Sequence, residues 1–152
     1  MKRVVRGMIY TLAALVGIFV VLTLIVRLSP LDVARWHVAP VVVEGSPADT
    51  VVAQRGGATL LLSSAMGTPE AVLARLDTIA LATPRTIRIA GSVEEGRITW
   101  QTRSLIWGFP DYTTAEMRDD GLYLWARQRL GTEDLGVNAA RLNAWLAALR
   151  GS

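Results

Sequence analysis

Residues 8–26 are 19 consecutive positions without a charge, introduced by Lys2, Arg3 and Arg6 and closed by Arg27. As a helix rising about 1.5 Å per residue, such a run matches the roughly 30 Å hydrocarbon core of a bilayer. A cleaved signal sequence has an apolar stretch of about 7–15 residues ending at a small-x-small site. Here the stretch is longer, and Leu24-Ile25-Val26-Arg27-Leu28-Ser29-Pro30 offers no such site. A helix buried in a soluble core would show polar residues at helical period, whereas Tyr10, Thr11 and Thr23 are the only polar side chains in the run. The expectation is an uncleaved transmembrane anchor over residues 8–27.

Basic residues near the ends of a span set its orientation. Three lie within the first six positions, while Arg27 and Arg35 on the other side have Asp32 between them. Residues 1–7 are too few to form a domain. The reading is a single-pass protein of a bacterial inner membrane, with a cytoplasmic N-terminal tail over 1–7 and the remainder in the periplasm. Trp36 and His37 fall about ten residues beyond the span. Trp36 either sits at the headgroup level, where tryptophan is favoured, or packs on the domain.

The 125 residues after Arg27 suffice for one domain. The net charge of +3 misleads, because four of the 16 basic residues fall in the first 27 positions, where there is no acid. Beyond them 12 basic residues face 13 acidic ones, a formal net of −1. That leaves no basic footprint for nucleic acid. Cysteine is absent, which excludes disulfides, thiolate catalysis and cysteine zinc sites. His37 is the single histidine, which excludes the usual multi-histidine metal sites. Neither a metal nor a cofactor is expected.

Residues 28–67 read as a juxtamembrane and loop-rich segment. Ser29-Pro30 suits a short helix start, and short extended pieces are expected at 41–43 and 59–62 among Pro40, Gly45, Pro47, Gly56 and Gly57. Thr68-Pro69-Glu70 is a stronger helix start: cap, proline, then an acid in the first turn. Val72, Leu73, Leu76, Ile79 and Ala80 follow at helical spacing as far as Pro84. The period then changes to two. Ile87 and Ile89, then Ile98, Trp100 and Thr102 alternate with polar residues around Glu94-Glu95-Gly96. Residues 112–118 and 122–129 form a second pair about Asp119-Asp120-Gly121, a favoured hairpin turn. Leu135, Leu142, Trp145, Leu146 and Leu149 mark a C-terminal amphipathic helix. Helix, four strands, helix predicts an α+β domain over 68–152, an antiparallel sheet of about four strands packed on one face by two helices.

Gly108-Phe109-Pro110-Asp111, Arg127-Gln128-Arg129-Leu130-Gly131, Asp134-Leu135-Gly136-Val137-Asn138 and Arg141 resemble domain-of-unknown-function family 1499, found in bacteria and plastids. The resemblance covers roughly residues 68–149. It implies a phenylalanine-proline-aspartate turn, then a strand leading to arginine-x-glycine, aspartate-x-glycine-x-asparagine and an arginine one turn later. Trp125, Ala126 and Gln128 stand where the family strand tends to alternate arginine and serine, and Tyr112 replaces an acid common beside the turn aspartate. The resemblance implies no established activity.

Read by themselves, Asp111, Arg127, Arg129, Asp134, Asn138 and Arg141 form a candidate binding cluster. Asp134 suits a helix cap, Asn138 and Arg141 share one helical face, and Arg127 and Arg129 leave the strand on a common side. Arginines at a helix start suit an anion such as a phosphate, carboxylate or lipid headgroup. The same residues also suit a purely structural cap and ion pair. Tyr123, Trp125 and Arg127 project together from one strand face and form a candidate interface, since these residue types are enriched there. Asp111 is a candidate general base without a catalytic companion nearby in sequence, so no catalytic residue is assigned. The leading expectation is a non-enzymatic periplasmic accessory protein, anchored in the bilayer through residues 8–27 and associated with a membrane protein complex. The alternative is a binding module for an anionic or amphiphilic small molecule; a hydrolase or isomerase ranks third.

Overall fold

Alternation at period two builds six strands rather than four. The computed structural model describes residues 2–43 and 45–151; Met1, Glu44 and Ser152 lie outside the described residues. The two additional strands, β1 (Val51–Gln54) and β2 (Gly57–Ser63), come from the stretch the sequence reads as mostly loop; the extended piece expected at 59–62 lies within β2, while the one expected at 41–43 forms no strand. Gly57 marks a strand here and not a loop, because a Cβ at this position would stand 2.3 Å from the Ala126 carbonyl oxygen. Only glycine permits that approach of neighbouring backbones.

The other elements follow the sequence periodicity. They are α3 (Pro69–Ala82), β3 (Thr86–Ser92), β4 (Arg97–Arg103), β5 (Pro110–Arg118), β6 (Gly121–Gln128) and α4 (Val137–Gly151), preceded by α1 (Lys2–Leu28) and the one-turn α2 (Val33–Trp36). Thr68 caps α3, its hydroxyl accepting from the Ala71 N–H at 3.3 Å, with Pro69 in the first turn. The sheet runs β1-β2-β6-β5-β4-β3, and every neighbouring pair is antiparallel. α3 carries the chain from β2 to the opposite edge. β3 to β6 then meander back until Leu124 lies opposite Leu60.

One face of the sheet takes the helices. Leu60, Leu62, Ile98, Trp100, Leu122 and Leu124 meet Leu73 and Leu76 of α3 and Leu142, Trp145 and Leu149 of α4, all buried. Trp100 and Trp145 pack edge to face, ring centroids 5.7 Å apart, a favoured aromatic geometry. Their indole N–H groups keep partners inside: Trp145 donates to the Thr83 hydroxyl at 2.8 Å and Trp100 to the Asp77 carboxylate at 2.8 Å. Arg88 closes the second network by pairing with Asp77.

The opposite face is covered in part by the chain leaving α1. Trp36 is buried and stacks on Tyr112, ring centroids 4.1 Å apart. Its carbonyl accepts from Arg127 Nη2 at 2.5 Å and from the Thr114 hydroxyl at 3.2 Å. His37 Nδ1 lies 2.9 Å from the Thr99 hydroxyl, and the Pro40 carbonyl accepts from Arg118 at 2.9 Å. Residues 33–40 thus form a strap over β4, β5 and β6, and of the two sequence alternatives Trp36 takes the packed one.

α1 is one uninterrupted apolar helix, long enough to cross a membrane, and none of its residues is buried by the domain. It meets the domain where Phe19 touches Trp107, ring centroids 4.6 Å apart. A second meeting point is Arg27, whose side chain covers Gly108.

Candidate functional site

Three connections gather at one end of the sheet: residues 83–85 between α3 and β3, 104–109 between β4 and β5, and 129–136 between β6 and α4. Between them lies a groove of about 750 Å³, within the range that encloses small-molecule ligands. Leu105, Phe109, Leu130, Leu135 and Val137 supply apolar walls, Arg85 and Arg103 line it from the β3–β4 side, and Asp111, Gln128 and Arg141 lie beside α4.

Each connection has a local reason for its shape. In 104–109 the Ser104 N–H donates to the Phe109 carbonyl at 2.9 Å, and the Phe109 N–H donates to the Ser104 hydroxyl at 2.9 Å. Arg103 donates to the Gly108 carbonyl at 2.9 Å and through Nε to Gln101. Arg85 donates through Nε to the Arg103 carbonyl at 3.0 Å. Leu135, which the sequence reading counts in the apolar stripe of the C-terminal helix, instead stands before α4, held at φ 52° and 95% exposed. A left-handed conformation is costly for a leucine, and the domain offers this one no apolar cover.

The structure brings Asp111, Asn138 and Arg141 together, with Asp134 beside them. Arg141 donates to Asp111 Oδ2 at 3.0 Å and to Asn138 Oδ1 at 2.7 Å, and its side chain is 8% exposed. The Asp134 carboxylate accepts from the N–H groups of Gly136 at 3.1 Å and Asn138 at 3.0 Å, satisfying donors at the start of α4. Burial pushes the Asp111 carboxyl above its ordinary value, against the pull of Arg141. Asn138 is fully buried, with its Oδ1 accepting from Arg141.

Arg127 stands apart from that cluster, while Arg129 lies next to it along the backbone. Arg129 donates its backbone N–H to the Pro110 carbonyl at 3.3 Å, at the end of β6. Arg127 lies on the other face of the sheet, 8% exposed beneath Trp36, with its guanidinium 4.0 Å from the Trp125 ring centroid. Burial pushes that guanidinium down to about 10. Its bonds go to the Trp36 carbonyl, the Thr114 hydroxyl and the Trp125 carbonyl. Tyr123 and Trp125 remain half-buried, Tyr123 donating to Asp120 at 2.6 Å with Arg118 stacked over its ring.

The groove's apolar walls and its two flanking arginines, Arg85 and Arg103, are residues that sequence reasoning missed. The available signal was Leu105-Ile106-Trp107, three apolar residues in a strand connection where turn-forming polar residues are the norm.

A six-stranded antiparallel sheet with two helices on one face, a strap on the other and a groove at its end defines an α+β domain carried behind a long apolar helix. Residues 37–149 match the family model described as protein of unknown function DUF1499, and the chain belongs to that family. The match starts at His37, so it takes in β1 and β2 and leaves α1 outside. No curated protein and no solved structure matches the chain.

Proposed function

We propose that this chain is a membrane-tethered binding module for an amphiphilic small molecule. The carrying observation is the end groove. Apolar walls at Leu105, Phe109, Leu130 and Leu135 face Arg85 and Arg103 in one cavity of about 750 Å³. Such a lining suits a molecule with an apolar body and a polar, anionic head. α1 is the tether, inserted in a bacterial inner membrane with the domain on the periplasmic side, as the basic residues preceding the span support. Asp111 is engaged by Arg141, which favours a positioning role over proton abstraction and supports binding without catalysis.

Native mass spectrometry of the full chain released from mild detergent tests this. The protein should carry an amphiphile in defined stoichiometry, and Phe109→Asp and Leu135→Asp should lose it while remaining folded. An equal lipid load on the wild type and both variants would overturn the proposal.

One observation favours a second reading, an accessory protein docked on a membrane protein complex. Tyr123 and Trp125 form a half-buried aromatic pair on β6, beside the strap and stacked by Arg118 and Arg127. On this reading Trp125→Ala reduces recovery of a partner complex from membranes and leaves the amphiphile bound; unchanged recovery would exclude it.

A further inference from the structure

We infer that residues 104–109 form a wedge that enters the lipid leaflet next to α1, so that the domain meets the membrane end-on with its groove facing the lipid. The inference rests on the membrane placement of α1 and adds a second, independent lipid contact. It is carried by position first. Trp107 packs on Phe19 with ring centroids 4.6 Å apart. Phe19 lies eight residues before Arg27, about 12 Å along the helix. The indole therefore lies on the apolar side of the arginine that closes the span. Gly108 tucks against the Arg27 side chain, where a Cβ would come within 2.9 Å of it. Whatever surrounds the last turns of α1 also surrounds this loop.

Composition agrees with position. Leu105 and Ile106 are 69% and 65% exposed, and Phe109 stacks on Trp107 with centroids 5.9 Å apart. Leu130 and Leu135, in the neighbouring connection, are exposed as well. Contiguous exposed apolar surface of this kind marks an interaction site. Arg27 and Arg85 flank it, the residue type that suits phosphate headgroups. The opposite end of the sheet carries exposed Glu94, Glu95, Asp119 and Asp120, which an anionic bilayer would repel. The ends of the domain thus differ in polarity and in charge. The loop also closes its own base, with Ser104 and Phe109 bonded to each other and the Gly108 carbonyl bonded to Arg103. Backbone groups satisfied internally lower the cost of leaving water.

The absence of cysteine makes a direct test straightforward. Three full-length variants, Ile106→Cys, Val16→Cys and Glu95→Cys, each take one environment-sensitive nitrobenzoxadiazole label. They are reconstituted in phosphatidylethanolamine–phosphatidylglycerol vesicles with or without doxyl groups at upper and at central positions of the acyl chains. The expected result is blue-shifted emission and strong doxyl quenching at positions 16 and 106, and neither at 95. Quenching at 16 without quenching at 106 would leave the anchor standing and overturn the wedge. A label at 106 shielded from aqueous iodide yet untouched by doxyl lipid would mean a protein surface covers the loop, which overturns it too. Absence of quenching at both positions would remove the membrane placement itself and the wedge with it.

Discussion

Burial pushes the Asp111 carboxyl up from its ordinary value, and the Arg141 guanidinium at 3.0 Å offsets that only in part. A carboxyl that holds its proton more tightly when folded contributes stability that is fully present below its unfolded value. That contribution is lost as pH rises through the folded value. Asp111→Asn, which never ionises, should therefore gain on the wild type in melting temperature as pH rises through the acid range; the reverse trend would mean that Arg141 outweighs burial. Arg141→Ala should cost on the order of 1–3 kcal/mol at neutral pH by leaving a buried carboxylate short of its partner. The cost should shrink in acid, where Asp111 takes a proton. The spacing of Asp134, Asn138 and Arg141 was legible in the sequence because helical neighbours three or four apart declare themselves. The burial of Arg127 was not, since its partner Trp36 lies 91 positions away and nothing local marks the pair.

The helices and the four meandering strands could be read from periodicity because each keeps one face dry and the other wetter. β1 escaped that reading, and β2 showed only as a short extended piece at 59–62, for two physical reasons. Gly56-Gly57 looks like loop punctuation, and Leu60-Leu61-Leu62 hides its alternation in a continuous apolar run. The strap was legible only in part: the sequence suggests a short helix here and a packed Trp36 as one alternative, but the helix starts at Val33 behind the Asp32 cap and not at Ser29-Pro30. Its contribution is measurable. Trp36→Ala should destabilise the domain by roughly 3–5 kcal/mol, the usual range for removing a buried aromatic. Limited proteolysis within residues 38–48 should accelerate in parallel. A variant with unchanged melting and unchanged cleavage would show that the strap adds nothing to the sheet it covers.

For the whole molecule, the helix and the domain class were evident from residue types alone, whereas the groove was not. A groove at the end of a sheet is assembled from three connections far apart in sequence, and each reads singly as an ordinary loop. The proposed placement makes a cellular prediction. The full-length protein should remain in the membrane fraction, and protease added to spheroplasts should digest the domain. Protection of the domain in intact spheroplasts, or release of a processed soluble form, would contradict the orientation. Four residues, 29–32, separate α1 from α2. Fully extended they span at most about 14 Å, and immediately beyond them Trp36 is locked onto the sheet. With α1 in a bilayer, the domain works on a short leash: it cannot sample the depth of the compartment beyond the surface. On the proposed function, an amphiphile dissolved in the same leaflet reaches the domain by a two-dimensional search.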